Sequence, residues 1–430
     1  MTLCYSNRGF IAAMMSAVVL LAACSAGDEE GSSVETATDA APPTTAAVVV
    51  VVVVDDPSPS VASTSHPVNV DQGVESPVED TPSGLLAARG GDVEGLPEPL
   101  VSLTEISSGG PPPDGIPPID DPRFLSVADV DFLAENEPVM AVEINGDARA
   151  YPVQILIWHE IVNDIVGAVP VAVTYCPLCN SAVAYDRRAA GRMFSFGTSG
   201  LLWNSALVMY DRQTETLWSH FTGEAIVGVL TGTKLETFPV ATVPWGVWRD
   251  AHPDGLVLSR NTGFTRNYGS NPYPGYDDVT SEPFLFEGDV DGRFTAMTRV
   301  VGIEREGAAL AVPLVELREQ RVARVSLSGQ ELTVWWAPGT VSALDESDIV
   351  DGDDIGATGV FLPTVDGTAL TFTASGDSFV DDETGSTWNL LGQAVSGPLV
   401  GRQLESVEHV DTFWFAWSAF RPDTDVAGSS

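Results

Sequence analysis

Cys176 and Cys179 stand two residues apart in the stretch Thr174-Tyr175-Cys176-Pro177-Leu178-Cys179-Asn180. Two thiols at this spacing support two chemistries. A tight turn, here fixed by Pro177, aims both sulfurs at one point, where they can grip a single metal ion. The same turn closes a small disulfide ring that exchanges electrons with a partner. Covalent haem attachment is disfavoured, because Asn180 rather than a histidine follows the second cysteine.

His159, between Trp158 and Glu160, adds an imidazole to the first of these chemistries. Two sulfurs and one imidazole suit copper or zinc, and thiolates also stabilise Cu(I). On that reading Cys176, Cys179 and His159 are the ligands, and Glu160 orients the ring or supplies a carboxylate. His220, on one strand face with Trp218, is a possible fourth ligand. Two further readings stay open. The chain is a thiol–disulfide protein using the Cys-Pro-Leu-Cys pair, or it is a non-enzymatic binding or structural module whose cysteines staple a turn. A buried, hydrogen-bonded imidazole is the ordinary alternative role for either histidine.

The elements that must position these residues read as mainly β, a β-rich α+β pattern. The segment Val139 to Val153 predicts a hairpin, because Asn145-Gly146 supplies the positive φ angles of a two-residue turn. Pro152 opens a short helix that ends near His159, and the strand after it leads toward the cysteines. Val- and Tyr-rich runs at 169–175, 181–186 and 206–211 are further strands. Short helices carrying Trp245 and Trp248, and again Trp414 and Trp417, are expected to be capped by Thr242 and Asp411.

Those tryptophan pairs belong to a longer repetition. Glu143, Gly146, Ala150 and Pro152 align with Glu304, Gly307, Ala311 and Pro313, and the same register carries Pro177 onto Pro338. After small insertions, Asp211, Thr214 and Trp218 align with Asp381, Thr384 and Trp388, and Gly223, Gly228 and Gly232 with Gly392, Gly397 and Gly401. This spacing predicts a tandem duplication of a unit of about 120 residues, with two pseudo-symmetric halves packed together. The first unit runs over 122–258, the inter-repeat loop region over 259–299 and the second unit over 300–425. The duplication acts as an internal control. Cys176, Cys179, His159 and His220 fall on Ala337, Thr340, Gln320 and Leu390, so maintaining the fold does not require them.

The Trp-His-Glu and Tyr-Cys-Pro-Leu-Cys segments resemble those of the bacterial and archaeal domain-of-unknown-function family numbered 3179. So do the stretches around Met209-Tyr210-Asp211 and Asn271-Pro272-Tyr273-Pro274-Gly275-Tyr276. The resemblance covers the folded region, 122–424. Asn180 stands where the family pattern would have glycine, and Glu215-Thr216 replaces Gly-Ser. The resemblance implies no reaction, substrate or cofactor.

The remaining sequence speaks to location. An apolar run from Gly9 to Ala23 and the small residues ahead of Cys24 predict a lipoprotein signal peptide over 1–23, with Cys24 as the lipidated first residue of an extracytoplasmic, membrane-anchored protein. Residues 24–121, rich in Ser, Thr, Pro, Ala and acids, predict a disordered acidic tether. A net charge of −40 excludes nucleic acid as a partner. The inter-repeat loop, rich in Tyr, Asn, Gly and Pro, is expected to cover the first unit's site, with Arg266, Tyr268 and Tyr273 facing a ligand.

Overall fold

The computed structural model describes residues 81–428. The signal segment 1–23, Cys24 and residues 25–80 lie outside the described residues. The hairpin forms as Pro138–Ile144 paired antiparallel with Asp147–Pro152. Asn145 (φ 53°) and Gly146 (φ 80°) occupy the left-handed region that this two-residue turn demands. Alternation along the first strand gives the hairpin two buried faces. Met140, Val142 and Ile144 pack with Ile161, Val171 and Val173, while Val139 packs with Trp335.

From Pro152 the chain enters the helix Val153–His159, which stops where Glu160 (φ 59°) turns left-handed. Reversal at Glu160 launches the strand Ile161–Val166, followed by Val169–Cys176 and Ser181–Asp186, all antiparallel, with Thr237–Phe238 at the edge. A second sheet holds Ile106–Ser108, Phe196–Trp203, Ala206–Asp211, Leu217–Ser219 and Ala225–Val227 in that order. Ala241–Pro244 then returns to pair with the first hairpin ahead of the helix Trp245–Ala251.

The same order of elements recurs from Arg299 onward. A hairpin (Arg299–Arg305, Ala308–Pro313) leads to the helix Leu314–Gln320, a left-handed Arg321 (φ 66°) and a second hairpin (Val322–Leu327, Gln330–Ala337). Val410–Phe413 and the helix Trp414–Phe420 follow the intervening strands. Local detail recurs too. Trp218 Nε1 donates to Asp211 and Trp388 Nε1 to Asp381, each at 2.9 Å.

Packing between these segments is reciprocal. Val300, Ala311, Phe413, Trp414 and Trp417 join the cluster that contains Val173, Cys176, Tyr185 and Trp218. Val139, Ala150, Val243, Trp245 and Trp248 join Trp335, Phe361, Phe379 and Trp388. Within the later segment, Gly302 lets the Trp417 ring pack close, since a Cβ there would stand 2.2 Å from it. Each buried tryptophan contributes on the order of 5 kcal/mol of gross apolar burial, before the entropy of ordering it. Two of the core clusters thus draw on both segments, while two others lie within one segment each.

Two expectations need correction. Residues 81–121 are not a free tether. Gly84–Ala88 is helical with Leu85 buried, Ile106–Ser108 pairs with Phe196–Trp203, and Ile119 is buried beside Val162. Asp114 and Asp120 both pair with Arg212, at 3.2 and 3.0 Å. A few apolar anchors separated by Pro and Gly carry no periodic signal, yet they suffice to dock a segment on a preformed sheet edge. Thr242 and Asp411 are not helix caps. Both lie in strands, because Pro244 and Phe413 hold the turn into each helix. No helix among the described residues is long and apolar enough to cross a membrane.

Candidate functional site

Val169–Cys176 and Ser181–Asp186 pair with Cys176 opposite Ser181 and Thr174 opposite Val183, so Thr174, Cys176 and Ser181 share one face. The connection Pro177 to Asn180 carries Cys179 inward beneath that face. It closes through Asn180 (φ 49°), whose amide donates to the Pro177 carbonyl at 3.2 Å. This is the conformation for which the family pattern would place glycine. Both cysteines are free thiols, 1% and 0% exposed.

Three other parts of the chain hold the turn. The Leu207 amide donates to Cys176 Sγ at 3.4 Å, and the Tyr276 hydroxyl donates to the Leu178 carbonyl at 2.9 Å. The Cys179 carbonyl accepts from Thr412 Oγ1 at 2.6 Å and from the Phe413 amide at 3.3 Å. The later segment thus grips the turn at one carbonyl, through the Thr412 hydroxyl and the Phe413 amide.

A line of side chains leads away from Cys179, and its direction is fixed at its far end. Thr174 Oγ1 lies 2.9 Å from the Val183 carbonyl, which can only accept, so the hydroxyl donates there. Its oxygen then accepts from His220 Nδ1, 2.9 Å away. With the proton on Nδ1, neutral His220 presents the lone pair of Nε2 to Ser181 Oγ at 2.7 Å. Ser181 donates to His220 and turns its own oxygen toward Cys179 Sγ at 3.0 Å. All four side chains are buried.

The two sulfurs differ electrostatically. Burial pushes the Cys176 thiol up, but donation from Cys179 and from the amides of Leu207, Cys179 and Leu178 outweighs it and holds Cys176 below the usual thiol range. Burial pushes Cys179 well above that range, as do its hydrogen bond to Cys176 and the charge there. Burial and the Cys176 charge also push the Glu160 carboxyl well up. His220 is lowered to about 3 by burial, which keeps the imidazole neutral.

His159 does not join the cysteines. Its Nδ1 lies 2.7 Å from the Pro117 carbonyl and so carries the proton, and its Nε2 accepts from the Tyr268 hydroxyl at 2.7 Å. Glu160, reversed by its left-handed backbone, reaches the Cys176 side instead. Tyr268 serves His159 and bonds Thr262 at 2.6 Å, and Arg266 stands near the same imidazole, whose pKa is lowered first by burial and further by that charge. Tyr273 packs against the core cluster that contains Cys176. Among the described residues no group of three or more His, Cys, Asp or Glu side chains is close enough to hold a metal ion. Copper or zinc would have the two sulfurs alone. His220 reaches Cys179 only through Ser181. Sequence reasoning missed Ser181, Thr174 and Tyr276, although strand alternation from Cys176 could have placed Thr174 and Ser181 on its face.

A family model described as a protein of unknown function, DUF3179, matches residues 113–424. The chain belongs to this family. The DUF3179 match begins ahead of the strand Phe124–Ser126, so it takes in Pro117, which orients His159, and Ile119, which docks beside Val162. It also includes the whole Cys176–Cys179 turn and the Thr412–Phe413 strand that grips it. No curated protein and no solved structure matches this DUF3179 chain.

Proposed function

We propose that the Cys176–Cys179 turn is a two-electron thiol–disulfide centre in an exported, lipid-anchored protein. The observation that carries this is the division of labour between the sulfurs. Cys176 gathers hydrogen bonds that favour the thiolate, whereas Cys179 keeps its proton within reach of Ser181 and, through it, His220. Those are the needs of an entering and a resolving thiol.

With an organic disulfide R–S–S–R as oxidant, the Cys176 thiolate attacks one sulfur, forming Cys176–S–S–R and releasing RS⁻. Charge leaves Cys176 at this step, and with it part of what holds the Cys179 proton. Cys179 then gives that proton to Ser181 as Ser181 passes its own to His220 Nε2, attacks the Cys176 sulfur and releases the second RS⁻. Two electrons pass from the cysteines to R–S–S–R, and the proton that His220 takes up during the attack leaves with the second RS⁻ as RSH. The imidazolium is stabilised only while the thiolate forms beside it, so transfer and attack are concerted.

The rest of the chain fits this role. Support for export and for anchoring at Cys24 comes from the apolar run and small residues before it. Support for a tandem duplication comes from the repeated residue spacing and the repeated order of hairpin, helix and hairpin. The second unit, with Ala337, Thr340 and Leu390 in place of Cys176, Cys179 and His220, is then a scaffold that grips the turn through Thr412.

Mixing reduced protein with an organic disulfide tests the proposal. Two thiolates released per chain, with a mass lower by two hydrogens, are expected. Release of none, or of one with a stable adduct on wild-type protein, would contradict it.

A further inference from the structure

Sulfurs that exchange with a partner must be reached, and here the covering segment is 276–286. The Tyr276 hydroxyl donates to the Leu178 carbonyl at 2.9 Å and accepts from the Phe284 amide at 3.2 Å. Ser205 donates to the Phe284 carbonyl, and Phe286 packs edge-on against Phe415 at 5.2 Å. The inner side of the segment is therefore anchored on the cysteine turn and on the core.

Its outer side is unusually apolar. Val279, Phe284 and Leu285 are 59%, 50% and 39% exposed. Leu285 sits at φ 51°, a left-handed conformation that is unfavourable for a leucine. The segment thus holds a bulky apolar side chain outward against its backbone preference. Exposed Asp278, Glu282, Glu287 and Asp289 flank these side chains along the chain as an acidic rim, and no lysine or arginine lies between Arg266 and Arg293 in the chain.

We infer that segment 276–286 is the docking surface for a polypeptide partner. The partner is an extended, disulfide-bearing stretch of another exported protein, with apolar side chains flanked by lysine or arginine. Its binding lifts Tyr276 from Leu178 and admits its disulfide to Cys176. Apolar side chains cover Phe284 and Leu285, basic flanks answer the rim, and an anionic lipid surface is repelled. So small a patch fits a transient encounter rather than a stable complex. This inference rests on the thiol–disulfide proposal.

The test uses the full chain, a Phe284→Ser/Leu285→Asn variant and three oxidants: a lysine-flanked apolar peptide disulfide, its glutamate-flanked counterpart and a small neutral dialkyl disulfide. Asparagine is chosen for position 285 because it tolerates the left-handed backbone. Wild-type protein is expected to reduce the lysine-flanked peptide at least roughly tenfold faster than the glutamate-flanked one, with the gap narrowing as salt rises. The variant is expected to lose most of that advantage while keeping its rate on the small disulfide within about twofold. Equal rates on the two peptides, or an unaffected variant, would overturn the docking surface alone. A dimer in light scattering that the variant breaks would assign the surface to a second copy and overturn it as well. Reaction with none of the three oxidants would remove the thiol–disulfide proposal and this inference with it.

Discussion

Cys179→Ser is expected to stop the reaction halfway. Serine keeps a hydroxyl that can donate to the Cys176 sulfur, so Cys176 still attacks an organic disulfide, releases one thiolate and retains a stable mixed disulfide. Cys176→Ser leaves only Cys179, whose thiol is held well above its ordinary value by burial. Burial keeps its thiolate scarce at neutral pH, so the variant is expected to react at least roughly a hundredfold more slowly than Cys179→Ser. Thiolate release and intact mass distinguish the two. Similar rates for both variants would remove the assignment of Cys176 as the entering thiol.

The second large effect is on acid stability. Buried His220 binds no proton in the folded chain until about pH 3, whereas an unfolded chain takes one up near the ordinary value of 6.5. Below 6.5 the unfolded state holds the extra proton, so stability falls as pH falls, by about 1.4 kcal/mol per unit. Across the window down to about pH 3 this sums to on the order of 4–5 kcal/mol. His220→Gln keeps hydrogen-bonding groups toward Ser181 and Thr174 without an ionising ring. Its urea midpoint should therefore change less steeply with pH than that of wild-type protein below pH 6.5. Parallel curves would mean that His220 is not buried neutral.

Much of this site was legible from residue types. Asn145-Gly146 specified its hairpin, Pro152 its helix start, and the Cys-Pro-Leu-Cys spacing a tight turn. Choosing between the histidines was not possible from sequence. His159 precedes the strand toward the cysteines, but the left-handed Glu160 reverses the chain after the helix, and the imidazole is taken by Pro117 and Tyr268. His220, in the turn after the strand Leu217–Ser219 of the second sheet, reaches Cys179 through Ser181, an arrangement that only tertiary packing creates. Pro117 lies in a stretch whose composition looks disordered, and its role depends on Ile119 finding the edge beside Val162. Alternation reads faces within one sheet; it does not say which sheets meet.

The most direct test is an equilibrium redox titration of the chelator-free full chain in dithiothreitol buffers, counting free thiols by alkylation and mass spectrometry, with elemental analysis of the same sample. A single reversible two-electron step between two free thiols and none is predicted, with about 30 mV per decade and no stoichiometric metal needed. One copper or zinc per chain that blocks oxidation and disappears in a Cys176→Ser/Cys179→Ser variant would contradict the thiol–disulfide assignment, as would a pair that stays fully reduced at every potential.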